Sequence, residues 1–304
     1  MKARDASPAD LPRRKLLTCM RDSAIALWAV GGGVPVLMKA DAAEAASGFT
    51  FAQISDTHIG FAKEPNATPD ATLVQALAAL KTPAPAFLLH TGDVSHLAKP
   101  AEFDAAAAIM ATAGVETFYV PGEHDVLEDD GAGFFGRFGM RGAVNGWYSF
   151  DHGGVHFVGL VNVLNLKAGG LGTLGGDQLS WLRGDLKGRT SSTPIVVFAH
   201  MPLWPLYPEW GWGTDDAAAV LDLLKRFGSV TVLNGHVHQV MQKVEGHVTF
   251  MTARSTAFPQ PAPGAGAGPG PLKVPAERLK GLLGVRRIDV RHGAPAIADA
   301  TLEA

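Results

Sequence analysis

Phe49-Thr50-Phe51-Ala52-Gln53-Ile54-Ser55-Asp56-Thr57-His58 is an apolar, β-rich run that ends in two residues of metal-ligand type. The same construction recurs four times. Ala86 to His90 leads into Gly92-Asp93, Thr117 to Val120 into Gly122-Glu123-His124-Asp125, Thr193 to Ala199 into His200, and Val230 to Asn234 into Gly235-His236-Val237-His238. Each feeder is rich in Val, Ile, Phe or Leu and closes in a polar turn, the signature of a strand. Parallel strands finish on one side of a sheet, where α/β proteins gather their chemistry. A parallel sheet would therefore deliver all five clusters to one edge.

Helical composition and spacing fill the gaps between these strands, at Ala71 to Leu80, Ala101 to Ala113, Gly176 to Leu186 and Asp215 to Phe227. Trp147 to Asp151 and Val155 to Val161 flank the turn His152-Gly153-Gly154 and predict a hairpin that starts a second sheet. Gln239 to Val244 and Val248 to Thr252 predict another around Glu245-Gly246-His247. Gly284 to Arg291 and Pro295 to Leu302 are expected to complete that second sheet. The predicted architecture is α/β, with two sheets face to face and helices outside. Phe258 to Pro275 holds six prolines and four glycines in eighteen residues, which excludes a helix or a central strand and predicts a long passive surface loop within the domain.

Residues 1 to 46 are set apart as an export signal. Arg13-Arg14-Lys15-Leu16-Leu17 resembles the twin-arginine consensus, a Gly-interrupted apolar stretch follows from Ser23 to Met38, and Ala40-Asp41-Ala42 or Ala43-Glu44-Ala45 offers small residues for cleavage. The expected partner is the twin-arginine export machinery and the expected location is periplasmic. The apolar stretch is short of the roughly 20 residues needed to span a bilayer, so no stable span is expected in the mature form. One domain, 47–304, remains. The only cysteine, Cys19, lies in the signal, so disulfides and thiolate ligands are excluded from that domain. The whole chain carries a formal charge of −3 and has no basic block, which argues against nucleic acid as a partner.

Asp, Glu and neutral His are ligands for zinc, manganese or iron, and a shared carboxylate is a common way to hold two cations. In Asp-x-His at a strand end, side-chain alternation is expected to turn Asp56 and His58 the same way, and His236 and His238 likewise. His96, three residues after Asp93, and Trp204, in the aromatic segment Trp204 to Trp212, are candidate substrate contacts.

The five clusters in this order resemble the calcineurin-like metallophosphoesterases over residues 49 to 255. That resemblance implies a four-layer α/β/β/α sandwich of two facing mixed sheets with flanking helices. Trp147-Tyr148-Ser149-Phe150, Gln178-Leu179-Ser180-Trp181-Leu182 and His200-Met201-Pro202-Leu203 resemble its bacterial branch of cyclic-nucleotide and glycerophosphodiester phosphodiesterases. The resemblance implies two metal ions, Mn, Fe or Zn, with Asp56, His58 and His238 on the first, His200 and His236 on the second, and Asp93 bridging. It implies hydrolysis of a small phosphoester, a phosphodiester ahead of a phosphomonoester, by a metal-bridging hydroxide, with His124 as general acid oriented by Asp125. A metal-binding accessory or scaffold protein is the alternative.

Glu123 departs from that pattern, because the family has a neutral asparagine there. With Asp56, Asp93 and Glu123 ionised the ligand set carries three negative charges, so two divalent ions leave a smaller net positive charge to attract substrate. The expectation is a preference for monoanionic diesters, or a more highly charged metal such as Fe(III) at one position.

Overall fold

The computed structural model describes residues 48–303 apart from Arg141, Gly142, Val144 and His292. The expected signal segment lies outside the described residues. Eleven strands are described: β1 (Phe49–Ile54), β2 (Leu88–His90), β3 (Thr117–Tyr119), β4 (Tyr148–His152), β5 (Val155–Gly159), β6 (Ile195–Phe198), β7 (Val230–Asn234), β8 (Gln242–Glu245), β9 (Val248–Thr252), β10 (Gly284–Arg291) and β11 (Ala294–Thr301). The helices are α1 (Pro69–Ala79), α2 (Pro100–Ala111), α3 (Ala132–Phe138), α4 (Gly175–Leu186), α5 (Ala217–Leu224) and α6 (Ala276–Leu282). Among the described residues no helix is long and apolar enough to cross a membrane.

One sheet has the order β11-β10-β1-β2-β3 and the other β4-β5-β6-β7-β9-β8. β1, β2 and β3 are parallel, as are β5, β6, β7 and β9, so the chain leaves the sheets repeatedly at the same edge. The layering follows from side-chain alternation. Phe51 of β1 and Val196 and Phe198 of β6 point into the core between the sheets. Ala52 and Ile54 of β1 point outward into a core shared with α1, α2 and α3. Ile195 and Val197 of β6 point outward into a core shared with α4 and α5. The helices meet these faces with stripes at helical spacing, Leu73, Ala76, Leu77 and Leu80 along α1 and its end, and Phe103, Ala106 and Met110 on α2. Three stacked cores give the expected α/β/β/α sandwich.

The last strand pair does not complete the second sheet. β10 pairs antiparallel with β1, Phe51 opposite Ile288, and β11 covers its far side. The reason is two-sided burial: Ile288 and Val290 fill the inter-sheet core while Val285 fills the outer one, and beside β1 both faces are covered. Sequence alternation marks a strand but not which open edge receives it. Two short helices, α3 and α6, were not anticipated.

Arg286 of β10 is fully buried and ties the two sheets together. Its guanidinium donates to the Gln53 side chain at 3.0 Å, to the Thr252 carbonyl on β9 at 2.8 Å, and to both oxygens of Asp299 on β11 at 2.8 and 3.1 Å. Removing it strands three buried or half-buried acceptors. Arg286→Ala is expected to lower stability by about 3 kcal/mol, measured by urea unfolding, the low end for a broken buried ion pair because Asp299 keeps some contact with water.

Candidate metal centre

Each candidate ligand stands on the loop just after a parallel strand: Asp56 and His58 after β1, Asp93 after β2, Glu123 after β3, His200 after β6, His236 and His238 after β7. Strand alternation is not what aims them. Asp56, His58, Asp93, His236 and His238 all have positive φ, between 41° and 70°, and they make up five of the eight non-glycine residues in that state among the described residues. The strands have already ended, and left-handed turns swing the side chains inward. Such backbone strain collects at functional sites, where the surrounding structure holds it in place.

Glycines make room for this. A Cβ on Gly92, itself at φ +93°, would lie 2.4 Å from Nδ1 of His200, and one on Gly122 would lie 2.0 Å from Oδ1 of Asp93. Gly92 and Gly122 are needed for close approach, not only for turning.

The side chains converge in two overlapping groups. Asp56, His58 and His238 bring ligand-type atoms within reach of one another, as do Glu123, His200 and His236. Asp93 stands between: its Oδ2 lies 3.5 Å from Nε2 of His58 and 3.5 Å from Nε2 of His200. Its Oδ1 accepts the backbone N–H of His124 at 2.9 Å.

Tautomers are set from outside. Nδ1 of His200 faces the Thr91 carbonyl at 2.7 Å, and Nδ1 of His238 faces the Phe258 carbonyl at 2.6 Å. A carbonyl only accepts, so each Nδ1 carries the proton and each Nε2 is turned inward, the arrangement outer partners impose on metal-binding histidines. Glu123 spans two rings, with Oε2 2.8 Å from Nε2 of His200 and Oε1 3.0 Å from Nδ1 of His236. Yet Oε2 of Glu123, Nε2 of His200 and both ring nitrogens of His236 are buried and make no hydrogen bond of acceptable geometry. Orphaned buried groups of this kind need a partner, and an all Asp, Glu and His donor set fits a divalent cation.

Without a cation, protons take up that role. Burial presses the His200 imidazolium down, but the carboxylates of Asp93 and Glu123 outweigh it and hold its pKa well above the ordinary histidine value. Burial alone would raise Glu123, and the rings of His236 and His200 instead hold it well below the usual carboxylate range. Metal uptake is therefore expected to displace a proton from His200, with affinity falling as pH falls. Proton release on metal uptake at neutral pH is the expected result, read by calorimetric titration of the metal-free protein in buffers of different ionisation enthalpy.

Asp125 does not orient the His124 ring. Its carboxylate accepts the N–H groups of Val94, Ser95 and Gly122 and the Ser95 hydroxyl, so it fastens the loops after β2 and β3 to one another. Burial, then the Asp93 carboxylate, pushes it up to about 7 against the pull of those donors. Nδ1 of His124 donates to the carbonyl of His96 at 2.6 Å, leaving Nε2 free. Burial presses His124 down, but Asp93 and Glu123 outweigh it and raise its pKa above the ordinary value. That favours the protonated ring.

Trp204 is corrected as a substrate contact: it is buried against Phe250 in the core beneath α4 and α5. The reason is packing, since the indole fills the outer face of the second sheet. His96 is half-buried beside His58. The start of the Pro/Gly-rich stretch is not passive. The Phe258 ring stacks 4.7 Å from His58 and lies tilted 4.6 Å from His238, and Gln260 donates to the His236 carbonyl at 3.1 Å. Neither residue was singled out from sequence, because a backbone carbonyl and an amide inside a loop composition carry no chemical signal.

A family model described as calcineurin-like phosphoesterase matches residues 49–240. The chain is 29% identical over 239 residues to a protein from Synechococcus described as a probable cyclic nucleotide phosphodiesterase, covering 74% of this chain and 88% of that one. Among solved structures it is similar to a dimetal phosphatase from Danio rerio, with TM-score 0.62 and 15% identity over 84% of this chain and 99% of that one. It is also similar to GAP50, the anchor in the inner membrane complex of Plasmodium, with TM-score 0.58 and 14% identity over 84% of this chain and 85% of that one. At such identities the likeness shows the fold alone, and the fold is common to a phosphatase and an anchor.

Proposed function

The chain belongs to the calcineurin-like phosphoesterase family, and from that membership we propose that it hydrolyses a monoanionic phosphodiester at a centre of two divalent ions. Asp56, His58 and His238 would hold the first, Glu123, His200 and His236 the second, and Asp93 both. The observation that carries this reading is the pair of ligand groups meeting at Oδ2 of Asp93, with the atoms of Glu123, His200 and His236 buried and unpartnered. Bound there, the cations would neutralise phosphoryl oxygens and supply a water-derived nucleophile at neutral pH. The protein's own part is to fix Nε2 of His200 and His238 by carbonyls behind them, and to present Nε2 of His124, protonated, to the departing alkoxide. The likeness to a probable cyclic nucleotide phosphodiesterase supports the diester.

Glu123 supports it independently through charge. A dianionic monoester meets one more repulsive unit than a diester, which at about 6 Å and an effective dielectric near 20 is worth roughly 3 kcal/mol. Glu123→Gln keeps the span between His200 and His236 and removes that charge. The ratio of monoester to diester kcat/KM should rise by about 100-fold at most. The test is elemental analysis of the purified protein with a panel of monoesters, diesters and cyclic nucleotides. Monoesters turned over faster than diesters with two divalent ions bound would overturn the diester reading, and a folded protein that takes up no metal would overturn the whole.

We also propose that residues 1–46 direct the folded protein through the twin-arginine machinery to the periplasm. Fractionation with Arg13→Lys and Arg14→Lys together should leave it in the cytoplasm.

A further inference from the structure

His58 is anchored differently from His200 and His238. Those two rest on main-chain carbonyls, whereas Nδ1 of His58 faces Nδ1 of His96 at 3.4 Å. The His96 ring is itself held in place. Its backbone N–H donates to the Ile59 carbonyl at 2.9 Å, its face stacks on His124 with centroids 5.0 Å apart at 16°, and Phe61 closes edge-on at 5.1 Å. Its carbonyl takes the Nδ1 proton of His124. A side chain so fixed, half-buried and turned toward the back of a ligand, has a place to act that substrate contact does not explain.

Taking the assignment of His58 to the first ion as the premise, we propose that His96 is a positioning residue that sets the tautomer and aim of His58 through its ring nitrogen. The proton inventory requires such a partner. For Nε2 of His58 to give its lone pair to a cation, the His58 proton must sit on Nδ1, and Nδ1 of His96 is the acceptor that faces it. Neutral His96 then carries its own proton on Nε2, away from His58. No proton is gained or lost, since the pair only fixes where each resides. Outer partners of metal-binding histidines change metal affinity by about 10- to 100-fold when removed.

His96→Leu and His96→Asn separate this role from packing, because the two side chains are nearly equal in size and only Asn places an acceptor near the position of Nδ1. Mn(II) affinity is measured by chelator competition on the full chain, and again together with His236→Ala, which removes a ligand of the second position and reads the first alone. The expected result is a loss of about 10- to 100-fold at the first position in His96→Leu and a loss of only about threefold in His96→Asn, with the second position unchanged in both. Equal losses in the two variants, or none in either, overturn the role of His96 while leaving the two-ion reading intact. A wild-type protein that takes up no Mn(II), Zn(II) or iron overturns that reading instead, and the role of His96 with it. Thermal melting of the metal-free variants, expected to match the wild type, excludes a folding defect as the cause.

Discussion

Asp93→Asn is expected to remove hydrolysis and metal together, lowering kcat/KM by about 1000-fold or more. Oδ1 of Asp56 also reaches both ligand groups, but unevenly, 3.2 Å from Nε2 of His238 and 4.0 Å from Nε2 of His200. Oδ2 of Asp93 faces His58 and His200 at equal distances of 3.5 Å, and Oδ1 of Asp93 holds the backbone of His124. An amide in this position keeps the size of the side chain and the bond to His124 but carries no charge, and if its oxygen stays with the His124 N–H its nitrogen turns toward two imidazoles. In the proposed two-ion centre each position would lose the same ligand, so the stoichiometry should fall below the wild-type value at metal concentrations that saturate the wild type. The checking measurement is elemental analysis beside steady-state kinetics. A variant that keeps two tightly bound ions and loses only activity would show that Asp93 does not bridge.

The strength of that expectation comes from how directly the candidate ligand set is written in the sequence. Asp56, His58, Asp93, Glu123, His200, His236 and His238 each follow an apolar run, and residue type together with position after a strand is enough to bring them to one edge, because parallel strands leave no other place for them. The left-handed turns that aim Asp56 and His58 are not legible in the same way: Asp and His adopt positive φ only where their surroundings enforce it, and those surroundings are built from β2 and β7, far along the chain. The carbonyls of Thr91 and Phe258 that hold the ring nitrogens were invisible for a plainer reason, since every residue has a carbonyl and only the fold chooses which ones act. Asp125 shows the limit of carrying over a role by position. The family resemblance implied an orienting contact with His124, but the tight turn over Glu123–Asp125 sends its carboxylate to the N–H groups of the neighbouring loop. The sheet that received β10 was decided by burial on both of its faces, which no local pattern records.

His124→Ala should separate proton transfer from metal binding, and the leaving group is the variable that does so. A general acid contributes about 100- to 10,000-fold when the departing oxygen is strongly basic, because an alkoxide cannot leave unprotonated. A p-nitrophenolate leaves without help. The variant is therefore expected to lose about 100-fold or more on an alkyl diester and less than about tenfold on bis-p-nitrophenyl phosphate, with its metal content unchanged. The geometry supports this division, since Nδ1 is committed to the His96 carbonyl and only Nε2 remains to face substrate. Asp93 and Glu123, which outweigh burial and favour the protonated ring, would be partly neutralised by bound cations, so the proton would become easier to give away once the centre is loaded. A competing role has a distinct outcome. His124 also comes within ligand reach of Asp93 and Glu123, and if it served as a metal ligand, the variant would lose an ion and slow both substrates alike. Equal losses on the two diesters with full metal content would remove His124 from proton transfer, and equal losses with an ion missing would move it into the ligand set.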